Sequence, residues 1–565
     1  MVPQIRFLIL YSCFFFTANL AFAQQIYPKD YFRNPLDIPM ELAGTFGELR
    51  TAHFHSGIDL KTKQREGLEV HTAAKGYVSR IKISNWGYGK AIYINHPNGY
   101  TTVYAHLKEF SPKIEAYIQK RQYDEEKNQI QVFPKKRALK IAKDEVIAYS
   151  GSTGGFIAPH LHFEIRNTRT EKIINPMHFG LLVPDSKHPI VNHLRAYTLS
   201  DSSHVNRSNI DMPLKIRKKA DGKYIADLVQ AYGDIGFGIN TFDRQDGGSN
   251  KNGIYQLEMW VNGKKHYGHK VETFSFNESK YINLLIDYPF YANRKRKYQK
   301  LFKHSESFLS IYDKNLNNGA ISILDHKNYE VKIVVSDFTG NKTELLIPIK
   351  GYKTTIKTPS KLQKTPYYVD YQRANTFKKG PITLNFGANT FYDNFYLNFD
   401  YKDSIATIHK PSVPLHKSYT ISFDTKNIPK TIKDKIYIGK GKYNDYCNTQ
   451  KNDSVFKTYT RNLGTFKLCT DTIKPIIKSC SFYENQNITA AKYIRIKTTD
   501  KGSGIKTYRG EIDGKWVLLE FNVKNNTLQH NLDTKKLRRG KHFFSLQSED
   551  NVGNTCTFTR SFYLK

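Results

Sequence analysis

Two imidazoles two residues apart, His160 and His162, lie inside the apolar run Pro159-His160-Leu161-His162-Phe163-Glu164-Ile165. On a β-strand, side chains alternate between faces, so both imidazoles would project to one side. One could then hold a metal while the other reaches over the same spot. The pair alone reads more readily as two surface histidines on an edge strand. Two further stretches change this, His55-Ser56-Gly57-Ile58-Asp59 and Tyr104-Ala105-His106-Leu107. A catalytic zinc takes about three nitrogen or oxygen ligands from protein and keeps one position open. His55, Asp59 and His162 would supply two imidazoles and one carboxylate. Such an ion acidifies water to a pKa of ~7 and polarises a peptide carbonyl. A base must take the water's proton, and the tetrahedral oxyanion needs a donor. His160 and His106 are the imidazoles left for those duties.

The neighbouring polar residues have plainer readings. His53 is a supporting or surface residue, and His71 and His96 belong to a strand and a turn. Glu164 shares a face with His162 and either orients that imidazole through a hydrogen bond or simply completes the strand. Arg50 and Glu48 either contact substrate or form a local salt bridge.

These residues need a β framework. From Glu41 the pattern is short strands with glycine turns: 68–74, 76–83, 91–95 and 100–106, separated by Lys75-Gly76, Gly87-Tyr88-Gly89 and His96-Pro97-Asn98-Gly99. One helix interrupts, with Ser111 as cap, Pro112 at its first position, and Ile114, Tyr117, Ile118 and Arg121 at helical spacing. A basic loop with Lys135, Lys136 and Arg137 leads to a strand over 145–149. Gly151, Gly154 and Gly155 then form a tight loop, with none of the marks of a phosphate loop. Asn175-Pro176 closes the domain.

The order His-x-Gly-x-Asp, Tyr-x-His-Leu, Gly-x-x-Gly and Pro-His-Leu-His-Phe-Glu resembles the lysostaphin/LytM-type zinc endopeptidases, which cut peptide bonds in peptidoglycan. The resemblance spans 41–179, about a quarter of the chain. It implies an antiparallel β peptidase domain of the duplicated hybrid motif type, with Zn2+ as cofactor. It implies His55, Asp59 and His162 as zinc ligands. His160, nearest the attacking water, and His106 would be the catalytic histidines. Peptidoglycan stem or cross-link peptides would be the substrate. Two features depart from the family: Phe156-Ile157-Ala158 stands where small residues are usual, and the helix with its basic loop exceeds the usual hairpin. Some relatives of this fold have lost catalysis and act as envelope scaffolds or activators of other wall hydrolases. An adhesion protein whose later domains carry the function is a third reading.

The chain has 565 residues, too many for one core. The sequence reading divides it into a signal peptide (1–23), a peptidase domain (24–180), an immunoglobulin-like β-sandwich (181–351), a β-rich domain (352–468) and a second immunoglobulin-like sandwich (469–565), a mainly β protein throughout. Arg6, the apolar stretch 7–16 and Ala21-Phe22-Ala23 read as an export signal. Cys13 offers a poorer lipoprotein reading. The mature chain is expected in the periplasm, envelope or extracellular space, without a transmembrane segment. Net charge is +35, which favours anionic envelope polymers as partners over nucleic acid in an exported chain. The remaining cysteines are read either as the pairs Cys447–Cys469 and Cys480–Cys556 or as four unpaired small core residues. No Cys-x-x-Cys is present to hold zinc.

Three signals recur in order. Asp185-x-x-x-Pro189 returns as Asp471-x-x-x-Pro475, Asp234-Ile235-Gly236 as Asp500-Lys501-Gly502, and Asp337 to Asn341 as Asp550 to Asn554. They imply two copies of one module. Asp, Asn and Gly form turns, so hairpin chemistry rather than calcium binding is the expected role.

Overall fold

The computed structural model describes residues 27–155, 158–313, 315–359, 363–479, 481–533 and 537–565. The stretch read as an export signal, Phe156-Ile157 and Cys480 fall outside them. Among the described residues no helix is long and apolar enough to cross a membrane. The protein is mainly β.

The site-bearing sheet uses β1 (Leu42–Gly44), β2 (Ile58–Lys61), β3 (Gly76–Ile83), β4 (Lys90–Asn95), β5 (Tyr100–Leu107), β6 (Ile130–Val132) and β7 (His160–Asn167). Their order across the sheet is β1-β2-β7-β5-β4-β3-β6. β7 is central, and it divides its side chains by strand alternation. Leu161, Phe163 and Ile165 are fully buried in the main core with Ile58, Leu60 and Tyr104. His160, His162, Glu164 and Arg166 line the other face. The register sets His162 directly opposite Asp59 on β2 and Ala105 on β5. A second, three-stranded sheet (Glu69–His71, Val146–Tyr149, Glu109–Phe110) closes the same core through Val70, Ile147 and Phe110. The stretch before β1 is no loose lead, because Tyr27, Phe32 and Leu36 are buried in this core.

The helix α1 spans Pro112–Glu125. Ser111 stands at its N-cap, but its side chain makes no capping hydrogen bond. Ile114, Ile118 and Gln122 face inward, one position later than expected at the last turn. The outer surface of this insertion receives the last module. Tyr123 meets Trp516 edge-on at 5.1 Å, the Asn128 side-chain oxygen accepts from the Leu519 amide at 2.8 Å, and Arg509 pairs with Glu126. Nearby, the nearly buried Lys90 pairs with Glu520 at 2.5 Å, and the Lys524 ammonium donates to Ser152 Oγ at 2.8 Å.

Three further cores follow, over 191–349, 369–466 and 482–564. The first is joined firmly to the core of the site-bearing domain. Strand Thr273–Phe274 pairs with Ile173–Ile174, and Val271, Phe274, Ile282 and Leu309 are buried in the first core. The repeat alignment needs correction. Asp234 lies inside strand Val229–Phe242, opposite Ser322, whereas Asp500 directly follows strand Tyr493–Thr499. The residue at the equivalent place is Asp243. The pairing Cys447–Cys469 is also overturned, and both are free thiols. Strand Ile436–Lys440 runs between them, with Ile438 opposite Cys447 and Tyr437 opposite Cys469. Neighbouring residues of one strand face opposite ways, so the two thiols lie on opposite sheet faces and cannot bridge.

Glu520→Ala would leave the buried Lys90 charge without its partner. It should weaken docking of the last module by about 2 kcal/mol, less than for a fully buried pair because Glu520 is partly exposed. The double change Lys90→Met/Glu520→Ala should recover most of the loss. Thermal unfolding of the three proteins checks both expectations.

Candidate metal centre

The core of the site is a contact between three lone pairs. A carbonyl oxygen can only accept, so the 2.7 Å contact of His55 Nδ1 with the Thr45 carbonyl fixes the proton on Nδ1. The Nε2 lone pair of His55 then points inward. Likewise, His162 Nε2 donates to the Glu164 carboxylate at 2.9 Å, which turns the Nδ1 lone pair inward. His55 Nε2, His162 Nδ1 and Asp59 Oδ1 meet with separations of 3.1, 3.0 and 2.9 Å. All three residues are buried. Three acceptors packed this closely need a positive species among them, either a proton or a metal ion. The trio is one of the clusters among the described residues able to share an ion. Two imidazole nitrogens and a carboxylate oxygen suit zinc by softness and number, so the residues present fit that group.

The electrostatics agree. Burial disfavours a charged carboxylate, yet His55 and His162 hold Asp59 well below the usual carboxylate range. Burial also disfavours an imidazolium, but Asp59 and Glu164 raise His162 to about 9. The pocket thus binds a proton tightly, and an ion of higher charge would compete for the same lone pairs. The second oxygen of Asp59 meets Arg50 at 3.3 Å, and Arg50 also pairs with Glu48 at 2.8 Å. The Arg50–Glu48 contact is therefore a salt bridge that steadies Asp59.

Local sequence explains the placement. Asp59 and His162 face each other because β2 and β7 pair in that register. Gly57 lets β2 approach, since a Cβ there would stand 2.3 Å from the Phe163 carbonyl oxygen. His106 reaches the site through a bulge. The pairing of β4 with β5 shifts between Lys90 and Ile92, and His106 takes a left-handed backbone with φ 59°. Its Nδ1 donates to the Thr153 carbonyl at 3.0 Å, and its ring lies 4.8 Å from His160 and 5.6 Å from His162. His160 Nδ1 donates to the Ala158 carbonyl at 3.0 Å, and its Nε2 stands 3.7 Å from Asp59. Burial, aided by the neighbouring imidazoles His162 and His160, pushes His106 well below its usual value. Burial does the same to His160.

All five residues singled out from the sequence therefore converge. The other histidines stay apart. His53 is exposed and bonds the Thr51 carbonyl, His71 pairs with Asp37, and His96 bonds the Lys75 carbonyl and Thr102.

Sequence reasoning missed the depth of the support behind His162. Glu164 is fully buried and also accepts from Ser56 at 2.6 Å and from the Tyr88 hydroxyl, while Arg166 Nε donates to its other oxygen at 2.7 Å. Burial alone would raise Glu164, but Arg166 and His162 hold it far below the usual range. Tyr88 stacks on His162 with ring centres 5.3 Å apart. The signal was present: Arg166 continues the period-two series from His160. Glu164→Gln should keep the fold's shape but loosen the His162 tautomer. Zinc affinity should fall about 10–100-fold, as measured by competition with a chromophoric chelator.

Residues 53–123 match Peptidase family M23, and residues 366–471 match the Zu5-like domain. Among curated proteins, the DD-carboxypeptidase/endopeptidase Mpg of Neisseria meningitidis serogroup B and that of Neisseria gonorrhoeae are each 34% identical over 137 residues, 24% of this chain and 25% of the relative. The chain thus spans about a quarter of the length of the curated relatives it matches. Among solved structures, the catalytic domain of lysostaphin from Staphylococcus simulans is 23% identical, covering 24% of this chain and 87% of that one, with a TM-score of 0.18. The catalytic domain of the prophage-encoded protein EnpA from Enterococcus faecalis is 20% identical, covering 27% and 98%, with a TM-score of 0.19. The Peptidase family M23 match thus takes in His55, Asp59 and His106 and ends before His160 and His162.

Proposed function

We propose that the protein is an exported zinc metallo-endopeptidase that hydrolyses peptide bonds in bacterial peptidoglycan. The observation that carries the reading is the meeting of His55 Nε2, Asp59 Oδ1 and His162 Nδ1 at hydrogen-bond distance, with the other nitrogen of each imidazole committed to an outer acceptor. These three residues would hold the ion. Bound zinc would supply Lewis-acid chemistry, polarising a carbonyl and acidifying a water.

His160 and His106 supply the proton chemistry. Each commits Nδ1–H to a backbone carbonyl, so each presents Nε2 as a proton acceptor on the trio's side of the sheet. The depressed basicity of both favours the neutral form near neutral pH. Each can take a proton and, once protonated, donate it to an oxyanion or a leaving amine. The 3.7 Å separation of His160 Nε2 from Asp59 makes it the better candidate for the proton of the attacking water. The left-handed backbone of His106 is strain held at the same place, as expected of a residue kept for function.

Substrate class and location rest on likeness. The curated relatives are named as a carboxypeptidase and endopeptidase, and the sequence blocks resemble wall-lytic enzymes. The export signal and the positive charge agree with an envelope location. The last module adds a wall beside the site. A cavity of about 220 Å³ is lined by Thr153, Gly154 and Gly155 on one side and by Leu519, Val523 and Lys524 on the other. Thr153 is the residue whose carbonyl orients His106. The intact donor set with both flanking imidazoles favours an enzyme over an inactive scaffold.

The test is digestion of purified sacculi, with mass analysis of the released peptides. Chelation should stop release, and added zinc should restore it. His162→Ala should lose both metal and activity. His160→Ala and His106→Ala should each retain stoichiometric zinc while hydrolysis falls by about 100-fold or more. Full activity in the chelated enzyme or in purified His162→Ala would contradict the proposal.

A further inference from the structure

Away from the peptidase site, two carboxylate triads are built to one plan. Asp185, Asp243 and Asp337 bring one oxygen each within 4.8 Å of one another, and so do Asp471, Asp500 and Asp550. The matching contacts are close to identical. Asp185 accepts from the Lys187 amide and Asp471 from the Ile473 amide, both at 3.1 Å. Asn341 donates to Asp337 at 2.7 Å and to the Asp185 carbonyl at 3.0 Å; Asn554 donates to Asp550 at 2.7 Å and to the Asp471 carbonyl at 3.0 Å.

Turn chemistry accounts for the first and third aspartates of each triad. It leaves one oxygen of the second unexplained in each triad. Asp243 is only 3% exposed, and its Oδ1 has no hydrogen-bond donor. Asp500 gives Oδ2 to the Gly502 and Gly504 amides, but its Oδ1 is also buried without a donor. A buried carboxylate oxygen set against two other carboxylates is costly unless a positive species joins them. Burial, reinforced by Asp185, pushes Asp243 up to about 8, a sign of how poorly the protein alone satisfies that charge.

We propose that each triad binds one divalent cation, Ca2+ by its donor chemistry, and that the two ions set the junctions between domains. All donors are hard carboxylate oxygens, which suit Ca2+ rather than zinc. Oxygens bound to one Ca2+ stand no more than ~4.8 Å apart, and the oxygens of each set lie within that limit of one another. The first triad borders a cavity of about 20 Å³, shared with Thr45, Asn175 and Met177 of the peptidase domain. That is room for one ion. In the second, the Asp471 amide donates to the Lys435 carbonyl at 2.8 Å and the Tyr437 hydroxyl to the Gly502 carbonyl at 3.3 Å, both across the boundary with the preceding domain. Each ion would tie the leading segment of a module to loops at that module's near end.

Calcium titration of the zinc-loaded full chain tests this, with heat of binding and unfolding temperature as readouts. Two equivalents should bind, and a hundredfold excess over Kd should raise the unfolding temperature by about 5–10 °C without changing zinc content. Asp243→Asn and Asp500→Asn should each bind one equivalent, and the double variant none. Near-ultraviolet circular dichroism shows whether the variants are folded, and the wild-type titration decides even if they are not. Absence of calcium binding by the wild type would overturn the proposal. A single site would overturn the equivalence of the triads, and an equal response to Mg2+ would overturn the assignment to calcium.

Discussion

The structure depends on a deficit of hydrogens. His55 gives its only N–H to the Thr45 carbonyl and His162 gives its own to Glu164, so both turn a lone pair toward Asp59. Three acceptors within about hydrogen-bond distance of one another repel unless a cation holds them. Neither imidazole can escape by changing tautomer, because each outer partner can only accept. The fold pays for this arrangement through the buried series His162–Glu164–Arg166, where every charge has a partner. The outer partners are therefore as much a part of the centre as the three inner atoms.

Strand geometry turns a few letters of sequence into that arrangement. Period-two alternation on β7 sends Leu161, Phe163 and Ile165 into the core and His160, His162, Glu164 and Arg166 to the site. This was legible beforehand, because alternation needs no tertiary knowledge. Asp59 was legible from its spacing to His55. The bulge that aims His106 was not, since a register shift depends on how two strands pair. Nor was the burial of Tyr27, Phe32 and Leu36, which have no periodic pattern to reveal them.

The later domains show where reading by motif runs out. The repeat was visible, but its middle member was placed at Asp234 rather than Asp243. The loop that starts at that position runs to Tyr255 in the first copy, whereas in the second it runs only from Asp500 to Gly504, so short motifs slid out of register. Cys447 and Cys469 are near in sequence and are separated by a strand that spacing cannot show. Contacts over long separations, such as Lys90 with Glu520, carry no local signal at all. They nevertheless place the last module beside the loop that orients His106. A domain read as an accessory thus borders the candidate metal centre, and the helical insertion is the platform on which it sits.

The central claim is that His55, Asp59 and His162 share one metal ion. X-ray absorption at the zinc edge of the purified, zinc-loaded protein tests it most directly. The structure predicts one zinc per chain, with two imidazole nitrogens and one carboxylate oxygen at ~2.0–2.2 Å and the remaining position filled by a light solvent atom. A spectrum showing sulfur ligands, a single imidazole, or no zinc retained after dialysis would contradict it.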